Sequence, residues 1–166
     1  MFTLAGCDDS RIAELEEGVA TETDVRARFG EPEQVWTAAD MAGLPLEGAA
    51  ALAAAPGART FEYNRQPEGR ANYMITVGAD GRMSALRQVL TPQVFARIQP
   101  GMSMEQVRKL LGKPAKITPF ALKRQTAYDW RYMDGSRGLV FTALFDQDLR
   151  VVSTASVDDE TASPRR

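Results

Sequence analysis

The residues equipped for covalent or proton-transfer chemistry are few, and their spacing works against it. The chain has no histidine, and Cys7 is its one cysteine. An internal disulfide, a zinc site of His/Cys type and a histidine general base are therefore excluded. Gly101-Met102-Ser103-Met104-Glu105 approaches a G-x-S-x-G nucleophile turn but lacks its last glycine, and no histidine exists to activate Ser103. Asp146-Gln147-Asp148 offers two carboxylates without the glycine and distal glutamate of a calcium loop, so a hairpin turn accounts for it better. These patterns predict no catalysis, no metal and no cofactor.

Cys7 is the exception, because its context points to modification. Leu4-Ala5-Gly6-Cys7 resembles the lipobox of bacterial lipoproteins, in which the cysteine is acylated and becomes the mature N-terminus. Such an anchor carries several chains, and each buried CH₂ contributes about 0.8 kcal/mol. Met1 to Gly6 hold neither a charged segment nor the roughly 7–15 apolar residues of a signal peptide. Either Met1 lies inside a longer signal, or the thiol stays free; the first reading suits the fold below. Asp8 resembles an inner-membrane retention signal, which leaves both membranes open.

The elements that must position everything else come in a pattern used twice. Ile98 to Pro114 reads I-Q-P-G-M-S-M-E-Q-V-R-K-L-L-G-K-P, and Leu15 to Pro32 reads L-E-E-G-V-A-T-E-T-D-V-R-A-R-F-G-E-P. Ser103 with Gln106, and Thr21 with Asp24, have the N-cap and N3 spacing of a capping box, the Asp being short for it. Val107, Leu110 and Leu111 form an i, i+3, i+4 stripe, as Val25 and Phe29 do at i, i+4. Gly112 and Gly30 then suit helix ends, and Pro114 and Pro32 prevent continuation.

After each helix comes a run of strand signals. Val35-Trp36 is briefly extended, and 38–58 is an Ala/Gly-rich surface excursion whose Ala run suits a helical turn or two. Residues 60–64, 71–77 and 83–90 then read as a meander, with Asp80-Gly81 at a tight turn. Thr91-Pro92 opens a second helical pair with Phe95 and Ile98 on one face. A short strand at 115–117 and strands near 126–133, 139–145 and 151–156 follow. Trp130-Arg131-Tyr132 is matched to Phe61-Glu62-Tyr63, and Phe145, Asp148 and Val151 to Val77, Asp80 and Met83. The expectation is an α+β fold of two tandem helix-helix-antiparallel meander repeats with joined sheets. The parts are 1–9 for lipid attachment, 10–90 and 91–156 for the repeats, and 157–166 for a disordered tail.

Charge adds a polarity. The 20 basic and 22 acidic residues give a net −2, which predicts no nucleic-acid binding. Residues 1–92 hold eight basic and fourteen acidic side chains, whereas 93–156 hold ten and five. Lys109, Lys113, Lys116, Lys123 and Arg124 form a candidate basic face toward anionic phospholipid headgroups.

Residues 93–156 resemble the BamE (SmpA/OmlA) family of outer-membrane lipoproteins. The resemblance rests on Ile98-x-x-Gly101-Met102-Ser103, Val107-x-x-Leu110-Leu111-Gly112-x-Pro114, Pro119-Phe120, Trp130-x-Tyr132 and the final Phe-x-x-Asp hairpin. Two such units in tandem are similar to the β-lactamase inhibitor protein. The family resemblance implies a non-enzymatic accessory of β-barrel assembly, lipid-anchored on the periplasmic side of the outer membrane. Its implied partners are other assembly subunits and phospholipid, with Phe120, Trp130 and Tyr132 in the contact region. The tandem resemblance leaves an alternative, a binding or inhibitory module with an unrelated target.

Overall fold

Thr21 and Ser103 sit in extended backbone, with φ of −94° and −74°, and each opens an eight-residue helix: α1, Glu22–Phe29, and α4, Met104–Leu111. Both boxes close reciprocally. The Asp24 amide donates to Thr21 Oγ1 at 3.3 Å and the Thr21 amide to Asp24 Oδ2 at 2.9 Å. The corresponding Gln106 and Ser103 bonds are 3.1 and 2.9 Å, so the Asp version is the looser. Each helix stops at a glycine with φ near +80°, Gly30 and Gly112. That conformation excludes ordinary side chains and leaves the glycine carbonyl free to turn toward the sheet.

The computed structural model describes residues 12–161 and divides into two compact units. The first takes in residues 12–63 together with Met74–Arg87; the second takes in Asn64–Tyr73 and residues 88–161. Strands pair as two four-stranded antiparallel sheets, β1 (Gln34–Thr37), β2 (Arg59–Asn64), β3 (Asn72–Val77) and β4 (Met83–Gln88), then β5 (Lys116–Phe120), β6 (Gln125–Asp134), β7 (Arg137–Phe145) and β8 (Val151–Asp158). Each follows chain order, as a meander must. The fold is α+β with two repeats, but the ladders are two sheets of four, where one joined sheet was expected. The additional strands come from the segments at Val35 and Ile117, which pair along β2 and β6.

Equivalent backbone bonds tie each helix to its own sheet. The Gly18 and Gly101 amides donate to the Met83 and Val151 carbonyls at 2.7 and 2.8 Å, and the Glu22 and Met104 amides to Gly81 and Leu149 at 2.9 Å. Tyr63 Oη donates to the Gly30 carbonyl at 2.9 Å, and Trp130 Nε1 to the Gly112 carbonyl at 3.1 Å. Tyr63 therefore corresponds to Trp130, and Phe61-Glu62-Tyr63 to Tyr128-Asp129-Trp130. The sequence match to Trp130-Arg131-Tyr132 is two residues out. Aromatics repeating at period two allow such a slip, and only the cap carbonyl fixes the register.

The 38–58 stretch is folded rather than a bare excursion. A third capping box, Thr37 with Asp40, starts a short helix α2 at Ala38–Met41, and Gly48–Ala54 is a 3-10 turn. Met41, Ala53 and Ala58 are buried, which supplies the tertiary burial that Ala-rich sequence alone does not advertise.

In the second unit, α3 (Pro92–Phe95) and α4 cover one face of the sheet. Phe95 stacks on Phe141 at 4.1 Å between ring centroids and meets Tyr132 edge-on at 4.7 Å. Val107, Leu110 and Leu111 are buried as their stripe requires. The segment 64–73, which joins β2 to β3, is bonded within this unit. Asn64 Oδ1 accepts from the Lys113 amide at 2.9 Å, while Asn72 Nδ2 donates to the Leu111 and Lys113 carbonyls at 2.9 and 3.0 Å. Gln66 pairs with the backbone of Arg131 in both directions, at 2.8 and 3.0 Å.

The expected tail from Val157 is corrected as well. Val157 and Asp158 continue β8, and Asp159 is buried. Burial opposes its charge, but bonds from Arg70, Thr161 and Arg131 outweigh that and hold its carboxyl well below the usual carboxylate range. Arg70 and Arg131 reach it at 2.8 and 2.9 Å. Among the described residues no helix is long and apolar enough to cross a membrane.

Candidate functional site

The alternation of β7 sorts the second sheet into two faces. Leu139, Phe141, Ala143 and Phe145 are buried toward the helices, so Val140, Thr142 and Leu144 point the other way. Register carries that second face across the sheet. Thr142 lies opposite Asp129 on β6 and Ala155 on β8; Leu144 lies opposite Ala127 and Ser153; Ala127 lies opposite Thr118 on β5. Most of these side chains are small, and they leave an open hollow of about 360 Å³ with Phe120 at one side. Its one carboxylate, Asp129, accepts from the Thr142 hydroxyl at 2.6 Å. Methyl groups, hydroxyls and one carboxylate suit the side chains of a partner.

Beside the hollow the chain makes an apolar tip. Phe120 ends β5, Ala121–Lys123 is a 3-10 turn, and Arg124 reverses the chain in the left-handed region at φ 51°. Phe120 and Ile117 are about half exposed and Leu122 fully so. Lys116, Lys123 and Arg124, next to them along the chain, are exposed. Lys109 does not join this group: it is largely covered, with its amine 3.0 Å from Glu105.

Of the expected contact residues, only Phe120 is available at the surface. Trp130 and Tyr132 are buried, 1% and 3% exposed, on the helix-facing side of β6. Their parity explains it, since 128, 130 and 132 share the face that α4 covers, and 127 and 129 share the hollow. Phe120 is the last residue of β5. Cys7 lies outside the described residues. Ser103 Oγ is spent as a helix cap, and Asp146 Oδ1 accepts from the Asp148 and Arg150 amides at 2.9 and 3.0 Å. The residues missed by sequence reasoning are Asp129, Thr142 and their small neighbours. The signal was the complement of the aromatic alternation, the positions between the large side chains.

Residues 88–153 match the family model for the outer membrane protein assembly factor BamE domain. That segment is BamE-like. The match takes in α3, α4, β5, β6, β7 and the start of β8, and with them the apolar tip and the hollow's lining except Thr154 and Ala155. No curated protein matches the chain in sequence. Among solved structures, the chain is similar to a DUF4309 family protein (YjgB) from Bacillus subtilis, at 18% identity and a TM-score of 0.29, covering 88% of this chain and 83% of that one. It is also similar to a "putative beta-lactamase inhibitor protein" from Streptococcus mutans, at 10% identity and a TM-score of 0.36, covering 93% and 98%.

Proposed function

We propose that this protein is a non-enzymatic accessory of outer-membrane β-barrel assembly that binds other assembly subunits through its BamE-like segment. The observation that carries the reading is the match of residues 88–153 to the BamE domain. The outer face of the second sheet supports it by its chemistry, an open hollow of mostly small side chains that side chains of a partner can fill. In this reading Cys7 carries the lipid that holds the protein at the periplasmic face of the outer membrane. The tip at Phe120 and Leu122 rests in the headgroup region, with Lys116, Lys123 and Arg124 toward anionic phosphates. Co-purification from detergent-solubilised membranes tests the assignment. Recovery of barrel-assembly subunits agrees with it; one soluble enzyme as the sole partner refutes it in favour of an inhibitory module.

A further inference from the structure

Two four-stranded sheets have four outer strands, and three of these carry a feature that discourages pairing with another chain. β1 is only four residues long. β5 holds Lys116 and Pro119. On β4 the Leu86 amide is taken by the Glu17 carboxylate at 3.1 Å, and the Met83 carbonyl by the Gly18 amide at 2.7 Å. β8 differs. It runs eight residues, Val-Val-Ser-Thr-Ala-Ser-Val-Asp, with no proline and no charge before Asp158, and every residue after Val151 is exposed. Its one irregularity against β7 lies at its beginning, beside Phe145.

The direction of its backbone groups follows from one bond. The Asp159 amide donates to the Gly138 carbonyl at 3.0 Å, continuing the register in which Val157 faces Val140 and Ala155 faces Thr142. Antiparallel pairs alternate between bonded and non-bonded. Residues 153, 155 and 157 therefore bond to β7, while the amides and carbonyls of Thr154, Ser156 and Asp158 point to the open side.

We propose that β8 pairs antiparallel with β8 of a second copy of this chain, about a two-fold axis at Ala155. In that register Thr154 exchanges backbone bonds with the partner's Ser156, and Ser156 with the partner's Thr154. Ala155 faces the partner's Ala155 in a non-bonded pair, and Ser153 lies beside the partner's Val157. Each Asp158 falls opposite Val152, so the two carboxylates stay at opposite ends. Residues 152–158 overlap in full, and the small central side chains let the backbones approach. Because Ser153 and Ala155 also line the hollow, the pairing extends that face across two copies. The inference is independent of the proposed function, since it rests on the strand alone.

The test uses the full chain with Cys7→Ser and one new cysteine. Non-bonded antiparallel Cα atoms lie about 4.5 Å apart, within disulfide reach. Ala155→Cys is expected to give a disulfide-linked dimer under mild oxidation, and Ser153→Cys, which faces residue 157, to give little. In sedimentation equilibrium, Thr154→Lys or Thr154→Pro weakens the dimer by about tenfold or more with unchanged circular dichroism, because the Thr154 amide donates nothing to β7. A monomer at every concentration, equal cross-linking from 153 and 155, or a dimer indifferent to both Thr154 variants overturns the proposal. So does a monomer that captures only a foreign extended segment at β8.

Discussion

Trp130 Nε1 donates to the carbonyl of Gly112 at 3.1 Å, and Tyr63 Oη makes the same bond to Gly30 at 2.9 Å. In each unit a sheet aromatic anchors the end of the capped helix. Tyr63→Phe keeps the ring and removes the donor, which is expected to cost about 1 kcal/mol. Trp130→Phe also loses buried volume and is expected to cost about 2–4 kcal/mol. Chemical denaturation of the two variants measures both. Equal stability to the parent would contradict the anchoring role.

Gly30 and Gly112 share a backbone conformation but not surroundings. A Cβ at Gly30 meets nothing within 4 Å, whereas one at Gly112 would sit 2.6 Å from Asn64 Oδ1 and 2.9 Å from Asn72 Nδ2. Gly30→Ala is expected to carry only the cost of its backbone, about 1–3 kcal/mol. Gly112→Ala should cost about 1–2 kcal/mol more, because it displaces the amides that bond Leu111 and Lys113. Thermal melts of the pair check this, and equal losses would show that the Asn contacts contribute little.

Asp159 gives the second unit a pH dependence of known sign. Its carboxyl is depressed in the folded chain, so its contribution to stability is full above the unfolded pKa of about 3.9 and is lost as pH falls below that. At pH 7 Asp159→Asn is expected to cost about 1–3 kcal/mol by weakening the bonds to Arg70 and Arg131. The difference from the parent should shrink as denaturation is repeated toward pH 2.5. A difference that stays constant would contradict the role of the charge.

The apolar tip predicts a membrane readout separable from partner binding. Leu122→Asp is expected to lower binding to vesicles rich in phosphatidylglycerol severalfold, since it puts a charge on the exposed leucine that the proposed function sets in the headgroup layer. Vesicle co-sedimentation measures it. Neutral vesicles should bind less than anionic ones with the parent protein, because Lys116, Lys123 and Arg124 are exposed next to the tip along the chain.

How much of this was legible in the sequence depends on how far the cause lay along the chain. The capping boxes at Thr21 and Ser103 and the Asp80-Gly81 turn are local, and they stand where the residues predicted. The bond between Asn72 and Leu111 joins residues far apart in sequence, and nothing in the strand signal at 71–77 announces it. Parity was visible in β7, yet the aromatics drew attention to Trp130 and Tyr132, whose size is the reason they are buried. Asp159 looked like tail because its polarity is apparent and its arginine partners are not.

The claim that matters most is that the hollow beside Thr118 and Thr142 is the binding face. A photo-activated cross-linker in place of Thr118 tests it in living cells, with one in place of the exposed Glu105 on α4 as the comparison. The account predicts cross-links to a barrel-assembly subunit from position 118 and none from 105. Cross-links from 105 alone, or to no such subunit from 118, would contradict it.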